Sequence, residues 1–314
     1  MQEALRHRLI YGSLMLIGLL VCLWLDRQVE VWTDSADRPG GVGLVHNAEG
    51  DFGLAGTGIL AMMVVILPIG TIELVRLLSA ERITPYKSIA VAGTTLLSLH
   101  AFMTQFGFFQ PMAASSLALI IVAVMIAAAL RQAWHRQAHQ AMAHMAGTVL
   151  SVLYLGGLCW FLMALRVKHS RDPNGFQGST AALVMILLVV KSTDIGAYFG
   201  GKTLGRHKLI PWLSPGKTWE GLFFGLLTAA LVSLACTRIW SDHLNTFHSI
   251  PKALLMGVVL GAVGQAGDLL ESLIKRDAGV KDSGRLVPGF GGVLDLIDSP
   301  LLAAPFAYLL FSLL

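Results

Sequence analysis

Long apolar runs recur along almost the whole chain, and they constrain the fold more than any other feature of the sequence. Nine can be marked, at approximately 9–25, 54–75, 88–104, 113–130, 147–165, 180–200, 220–238, 253–270 and 299–314. Lipid offers no hydrogen-bond partner to the backbone, so a run of this length crosses a bilayer as a helix. With 55% hydrophobic residues, 13% charged residues and a mean hydropathy of +0.67, the 314-residue chain is too apolar for an ordinary soluble domain. The expectation is an all-α integral membrane protein, a polytopic bundle of about nine transmembrane helices. It forms one membrane domain over 1–314, with N-terminal helices at 1–179 and a more polar C-terminal half at 180–314. The first run follows Arg6, His7 and Arg8, as in a signal peptide, but exits through CLWLDRQ without a small-residue cleavage site. A retained helix is expected.

Charge then orients the spans. With the N-terminus inside, inner loops carry 15 of the 23 basic residues and outer loops 7, with Lys191 inside a span. That bias favours N-in and C-out, hence the inner, cytoplasmic membrane with the polar C-terminal loops facing the cytoplasm. Arg166, Lys168 and Arg171 run against it on the outer side. The net charge of +4 reflects these loops; no basic patch with interleaved aromatics points to nucleic acid. Cys22, Cys159 and Cys236 all lie in apolar runs and read as small core residues, not a disulfide or metal framework. The segment from about Asp26 to Phe52 reads as a polar outer loop with no chemistry in it. His135 and His139, four apart beside Arg131, Trp134 and Arg136, read as an interfacial helix end and not as a metal pair.

Three polar constellations interrupt the C-terminal half. In KSTDIGAYFGGKTLGRHKL, Lys191 and Asp194 stand three apart at membrane depth, where an ionisable residue is a functional candidate or half of a structural ion pair. Gly200, Gly201 and Gly205 are expected to turn the backbone tightly beside Lys202, Arg206 and Lys208, as suits a phosphate. LSPGKTWEG places Ser214, Lys217 and Thr218 before a span, near a helix N-terminus that favours anions. The spacing of a Walker P-loop is absent. The densest stretch is GDLLESLIKRDAGVKDSGRLVPGFGGVLDLIDS, from Gly267 to Ser299. Asp268 ends one run, and Asp295 and Asp298 precede the next. Asp298 reads equally as an N-cap ahead of Pro300 and as a ligand. Asp268 and Asp295, from separate helix ends, are suited to share Mg²⁺ with substrate phosphates.

The run from Ser272 to Asp295, S-L-I-K-R-x4-K-D-S-G-x-L-x-P-G-x-G-G-x-L-D, resembles the signature of the phosphatidate cytidylyltransferases, the CDP-diacylglycerol synthases. SPGKTWEG and DIGAYFGGKTLG resemble that family's upstream motifs, in order, so the resemblance covers roughly 180–314. It implies nucleotidyl transfer from CTP to phosphatidate in the membrane lipid, giving CDP-diacylglycerol and pyrophosphate, with Mg²⁺ and a second, monovalent or divalent, cation. It also implies a homodimer. Under it, Asp268 and Asp295 match metal-holding aspartates, with Asp298 beside them. Lys217, Lys275, Arg276 and Lys281 match basic positions. Lys275 and Lys281 join the two aspartates as catalytic candidates; Lys217, Thr218, Arg276, Lys202, Ser214 and Asp194 are the substrate-binding candidates. Two positions depart from the family pattern: Phe290 replaces a histidine and Leu296 an arginine. If those groups contact phosphate, each lost charge-assisted bond is worth about 1.5–3 kcal/mol. Alternatives are a homologue whose activity is lost or moved to another lipid phosphate, and a secondary transporter. The transporter is disfavoured because no inverted repeat is visible and the charge lies on one side.

Overall fold

In the computed structural model every one of the nine apolar runs is helical. The residues described are 2–34, 45–47, 50–80, 83–134, 136, 138–169, 175–241, 244, 249–284, 286–287, 289 and 291–313. In chain order the helices are α1 (Gln2–Thr33), α2 (Thr57–Ser79), α3 (Lys87–Met103), α4 (Ala113–Trp134), α5 (Ala141–Ser151), α6 (Leu158–His169), α7 (Gly175–Leu204), α8 (Trp219–Ile239), α9 (Ile250–Asp277) and α10 (Leu294–Leu313). A π-helical turn, Val152–Gly157, joins α5 to α6, so together they make one membrane-length rod. Eight helical stretches among the described residues are long and apolar enough to cross a bilayer. The ninth, α3, has 17 residues, at the lower limit for a span. A 3-10 turn, Gln110–Met112, before α4 and two antiparallel hairpins complete the described elements, β1 (Val45–Asn47) with β2 (Gly50–Phe52), and β3 (Lys208–Ile210) with β4 (Ser214–Thr218). The chain is thus a nearly all-helical, polytopic integral membrane protein.

Two compact units divide the chain. One comprises Met1–Arg171 with Ala278–Leu296, and the other Asp172–Asp277 with Ile297–Leu314. The loop after α9 therefore groups with the N-terminal helices. In that first unit Val75, Ala90, Leu97, Val124 and Val152 form a buried apolar core. The unit also buries charge. Arg166 lies inside α6, not in an outer loop, and is completely buried. Its Nε stands 2.7 Å from Asp26 Oδ2, and its terminal amino group bonds Glu30. Asp26 also accepts the Gly58 amide at 3.0 Å. Asp26 and Glu30 are one turn apart on the same face of α1. Neutralised by Arg166, they let the helix run to Thr33, beyond the expected end at 25. The start of the expected polar loop is therefore helix, with Asp26 and Glu30 on its buried face.

The second unit is built on close approach of α7, α8 and α9. The glycines expected to turn the chain after α7 are instead inside it. Gly200 and Gly201 are helical, and Gly205 follows the C-terminus with its amide on Gly201 O. A side chain at Gly200 would run into Phe224, and one at Gly225 would come 2.9 Å from Thr193 O. On α9, a Cβ at Gly261 would come 2.8 Å from Ala229 and 3.0 Å from Thr193 Oγ1. Small residues let the backbones pack tightly where lipid provides no hydrophobic drive between helices.

Candidate active site

Three carboxylates meet in the second unit. Asp268 and Glu271 are three apart on α9, hence on one face, and Asp298 comes from α10. One ligand atom from each lies within 4.8 Å of the others. Gly267 brings the two helices together, since a Cβ there would come 2.9 Å from Asp298 O and 3.1 Å from Ser299 Cα. Asp298 and Glu271 are buried and Asp268 is half-buried. Asp298 is not the N-cap that the sequence allowed. The helix begins at Leu294, about one turn before the expected start, so Asp298 and Pro300 lie within it. The Asp298 carboxylate accepts the Ser299 amide at 2.6 Å and the Ser299 hydroxyl at 3.1 Å.

Like charges so close need cations, and the unit supplies them as ammonium groups. Lys217, in β4, places Nζ 2.5 Å from Asp268 Oδ2 and 3.0 Å from Gln265 Oε1. The Gln265 amide nitrogen donates to Asp194 Oδ1 at 2.7 Å, and Lys191 stands 3.8 Å from the other Asp194 oxygen. Lys275 reaches Glu271 at 3.0 Å from one turn further along α9. Asp194, Lys217, Gln265, Asp268, Glu271, Lys275 and Asp298 thus form one alternating network. Three oxygen-donor carboxylates within 4.8 Å of one another fit the donor set of a hard divalent cation.

The first unit gathers the other half of the signature. Asp295, in the first turn of α10, accepts the Ser283 amide at 3.0 Å, the Ser283 hydroxyl at 2.8 Å and the Gly292 amide at 2.7 Å, all on Oδ2. Asp295 thus ties its own loop together; the three-carboxylate cluster is made by Asp268, Glu271 and Asp298. Val287 and Gly291 exchange both backbone bonds, at 2.9 and 3.0 Å, which pinches the chain into a tight loop. Gly291 has φ +106°, a conformation that other residues adopt only with strain. Against this loop lies Glu73 of α2, only 4% exposed, accepting the Leu294 amide at 2.9 Å.

The remaining candidates sit apart from these groups or serve the scaffold. Thr218 is buried, and its Oγ1 accepts the Gly221 amide at 3.0 Å as the N-cap of α8. Ser214 opens β4 and is half-buried. Lys202 is exposed, with Nζ 5.6 Å from the Tyr198 ring centre. Arg276 and Lys281 are exposed, at the end of α9 and in the loop after it. Leu296 is half-buried in α10, while Phe290 and Arg285 lie outside the described residues. So does His135; α4 stops at Trp134, and His139 sits in a turn. Glu73, Gln265 and Glu271 were not singled out from the sequence. Glu271 was legible as i+3 from Asp268 and i−4 from Lys275, and Glu73 as an acid inside an apolar run.

Comparison with known proteins gives a consistent answer. Residues 52–314 match the cytidylyltransferase family. The chain is 30% identical over 256 residues to the phosphatidate cytidylyltransferase of Bacillus subtilis (strain 168), covering 82% of this chain and 90% of that protein. It is 40% identical over 155 residues to the phosphatidate cytidylyltransferase of Haemophilus influenzae, covering 49% of this chain and 53% of that one. With YnbB of Escherichia coli (strain K12), an uncharacterized protein, identity is 41% over 159 residues, 51% of this chain and 49% of the other. In the last two alignments the chain spans about half of the relative's length.

Proposed function

Because this chain belongs to the cytidylyltransferase family, we propose that it is a phosphatidate cytidylyltransferase. A phosphate oxygen of phosphatidate forms a bond to the α-phosphorus of CTP, the α–β phosphoanhydride bond breaks, and CDP-diacylglycerol and pyrophosphate are the products. No covalent enzyme intermediate is needed, because the lipid phosphate is itself the nucleophile.

The observation that carries this reading is the cluster of Asp268, Glu271 and Asp298, flanked by Lys217 and Lys275. Those three carboxylates would hold Mg²⁺, which when bound neutralises negative charge on the triphosphate. A second cation belongs to the same reading. Lys217 and Lys275 offer ammonium groups to phosphate oxygens by exchanging them for the carboxylates they now face. Arg276 and Lys281, exposed at the end of α9 and beyond, are suited to draw in the triphosphate. Asp194 acts through Gln265 to orient Lys217. The reading puts the protein in the inner membrane with this site toward the cytoplasm, on the strength of the basic loops. The homodimer rests on the family resemblance alone, and no nucleic acid takes part.

The test is turnover of radiolabelled CTP with phosphatidate and Mg²⁺ by the purified protein in lipid. CDP-diacylglycerol should form, stop on chelation and return with added Mg²⁺. Asp268→Asn should lower the rate by more than about 100-fold, beyond the 10–100-fold typical of groups that only support a metal ligand. Turnover that survives Asp268→Asn would sink the metal assignment. A second reading, a shifted lipid substrate, is carried by Phe290 and Leu296. It predicts silence with phosphatidate that persists when Phe290→His and Leu296→Arg are combined; recovery in that variant would instead mark an activity on phosphatidate that this chain has lost.

A further inference from the structure

We propose that Glu73, on α2, is a positioning residue that holds the loop carrying Lys281 and Asp295 in its working shape. The inference rests on the cytidylyltransferase reading and adds to it a residue from outside the C-terminal motifs. Glu73 is buried, yet among the described residues its side-chain hydrogen bonds all go to one loop and the helix start that follows it. It accepts the Leu294 amide at 2.9 Å and approaches the Ser283 hydroxyl at 3.5 Å. That hydroxyl is nearer Asp295, at 2.8 Å, so its proton goes to Asp295 and the two carboxylates bracket it. Between them, Glu73 and Asp295 take the amides of Ser283, Gly292 and Leu294.

The glycines of the loop complete the case. A Cβ at Gly284 would stand 2.5 Å from Glu73 Oε1, and one at Gly292 would stand 2.6 Å from Glu73 Oε2. The loop is therefore shaped around this carboxylate, and any side chain at either position displaces it. A buried carboxylate is a costly way to fasten a loop if fastening is all that is needed, since apolar packing does it better. What a carboxylate adds is direction: it fixes amide vectors at the start of α10, the helix that carries Asp295 in its first turn. Glu73 acts through those groups and is not assigned contact with substrate.

The experiment compares the full-length wild type with Glu73→Gln and Glu73→Asp, by steady-state kinetics and by amide hydrogen exchange of the peptide spanning 281–296. In Glu73→Gln, kcat should fall at least about tenfold while KM for CTP stays within about threefold, because misplacement costs alignment in the transition state. Exchange in 281–296 should quicken while the helices of the same unit keep their protection. Glu73→Asp should recover part of the rate. A kcat within threefold of wild type in Glu73→Gln overturns the proposal. So does faster exchange spread evenly over α2 to α6, which marks a merely structural role. A wild type that makes no CDP-diacylglycerol sinks the enzymatic reading instead; the exchange arm then still decides whether Glu73 holds the loop.

Discussion

At the scale of single residues, the buried arginine is answered by buried carboxylates. Arg166 is fully buried against Asp26 and Glu30, so its removal leaves two carboxylates without their cation. Arg166→Met should destabilise the protein by about 3–5 kcal/mol. The triple variant with Asp26→Asn and Glu30→Gln should recover most of that, and thermal unfolding in detergent would measure both. A triple variant no more stable than the single one would remove the ion-pair account. This triad was hidden from the sequence because Arg166 lies 140 positions from Asp26 and 136 from Glu30, and no local pattern links them. The cluster around Asp268 was more legible. Asp268, Lys217 and Lys275 all stand in recognisable motifs, and only their partner Gln265, an uncharged residue in an apolar helix, gave no signal.

At the scale of elements, the positions of helices follow from hydrophobicity, but their ends follow from partners. The expected start of the last helix at 299 reflects where the apolar run begins. The helix begins at Leu294 because Glu73 takes the Leu294 amide and Asp295 takes that of Gly292. In the same way α7 runs through Gly200 and Gly201, where glycine looked like a turn, because packing against α8 demands small residues. Gly225→Val tests that demand. The added side chain meets Thr193 O and Ala197 Cβ at 2.9 and 3.1 Å from Cβ alone, and should cost about 1–3 kcal/mol of stability. Thr218, expected near a substrate phosphate, also caps its own helix, a role that motif spacing alone does not disclose.

At the scale of the molecule, the helical membrane architecture was legible almost completely, since spans are written as apolar runs of bilayer length. How those spans group was not. The loop Ala278–Leu296 clusters with the N-terminal helices although it lies between α9 and α10 in the chain. Orientation is accessible to experiment: in a variant lacking Cys22, Cys159 and Cys236, Lys281→Cys should react with a membrane-impermeant maleimide only from the cytoplasmic face. Labelling from the opposite face would reverse the proposed sidedness. The Arg166 triad also has a consequence in time. Asp26 is synthesised about 140 residues before its counter-ion, which at 5–20 residues per second is a delay of about 7–28 s. During that interval the first helix is expected to span only as far as its apolar run reaches, with its last two turns left in water. The N-terminal anchor is therefore completed late, by the arrival of α6, and a nascent chain halted before Arg166 should hold its first helix shorter than the finished protein does.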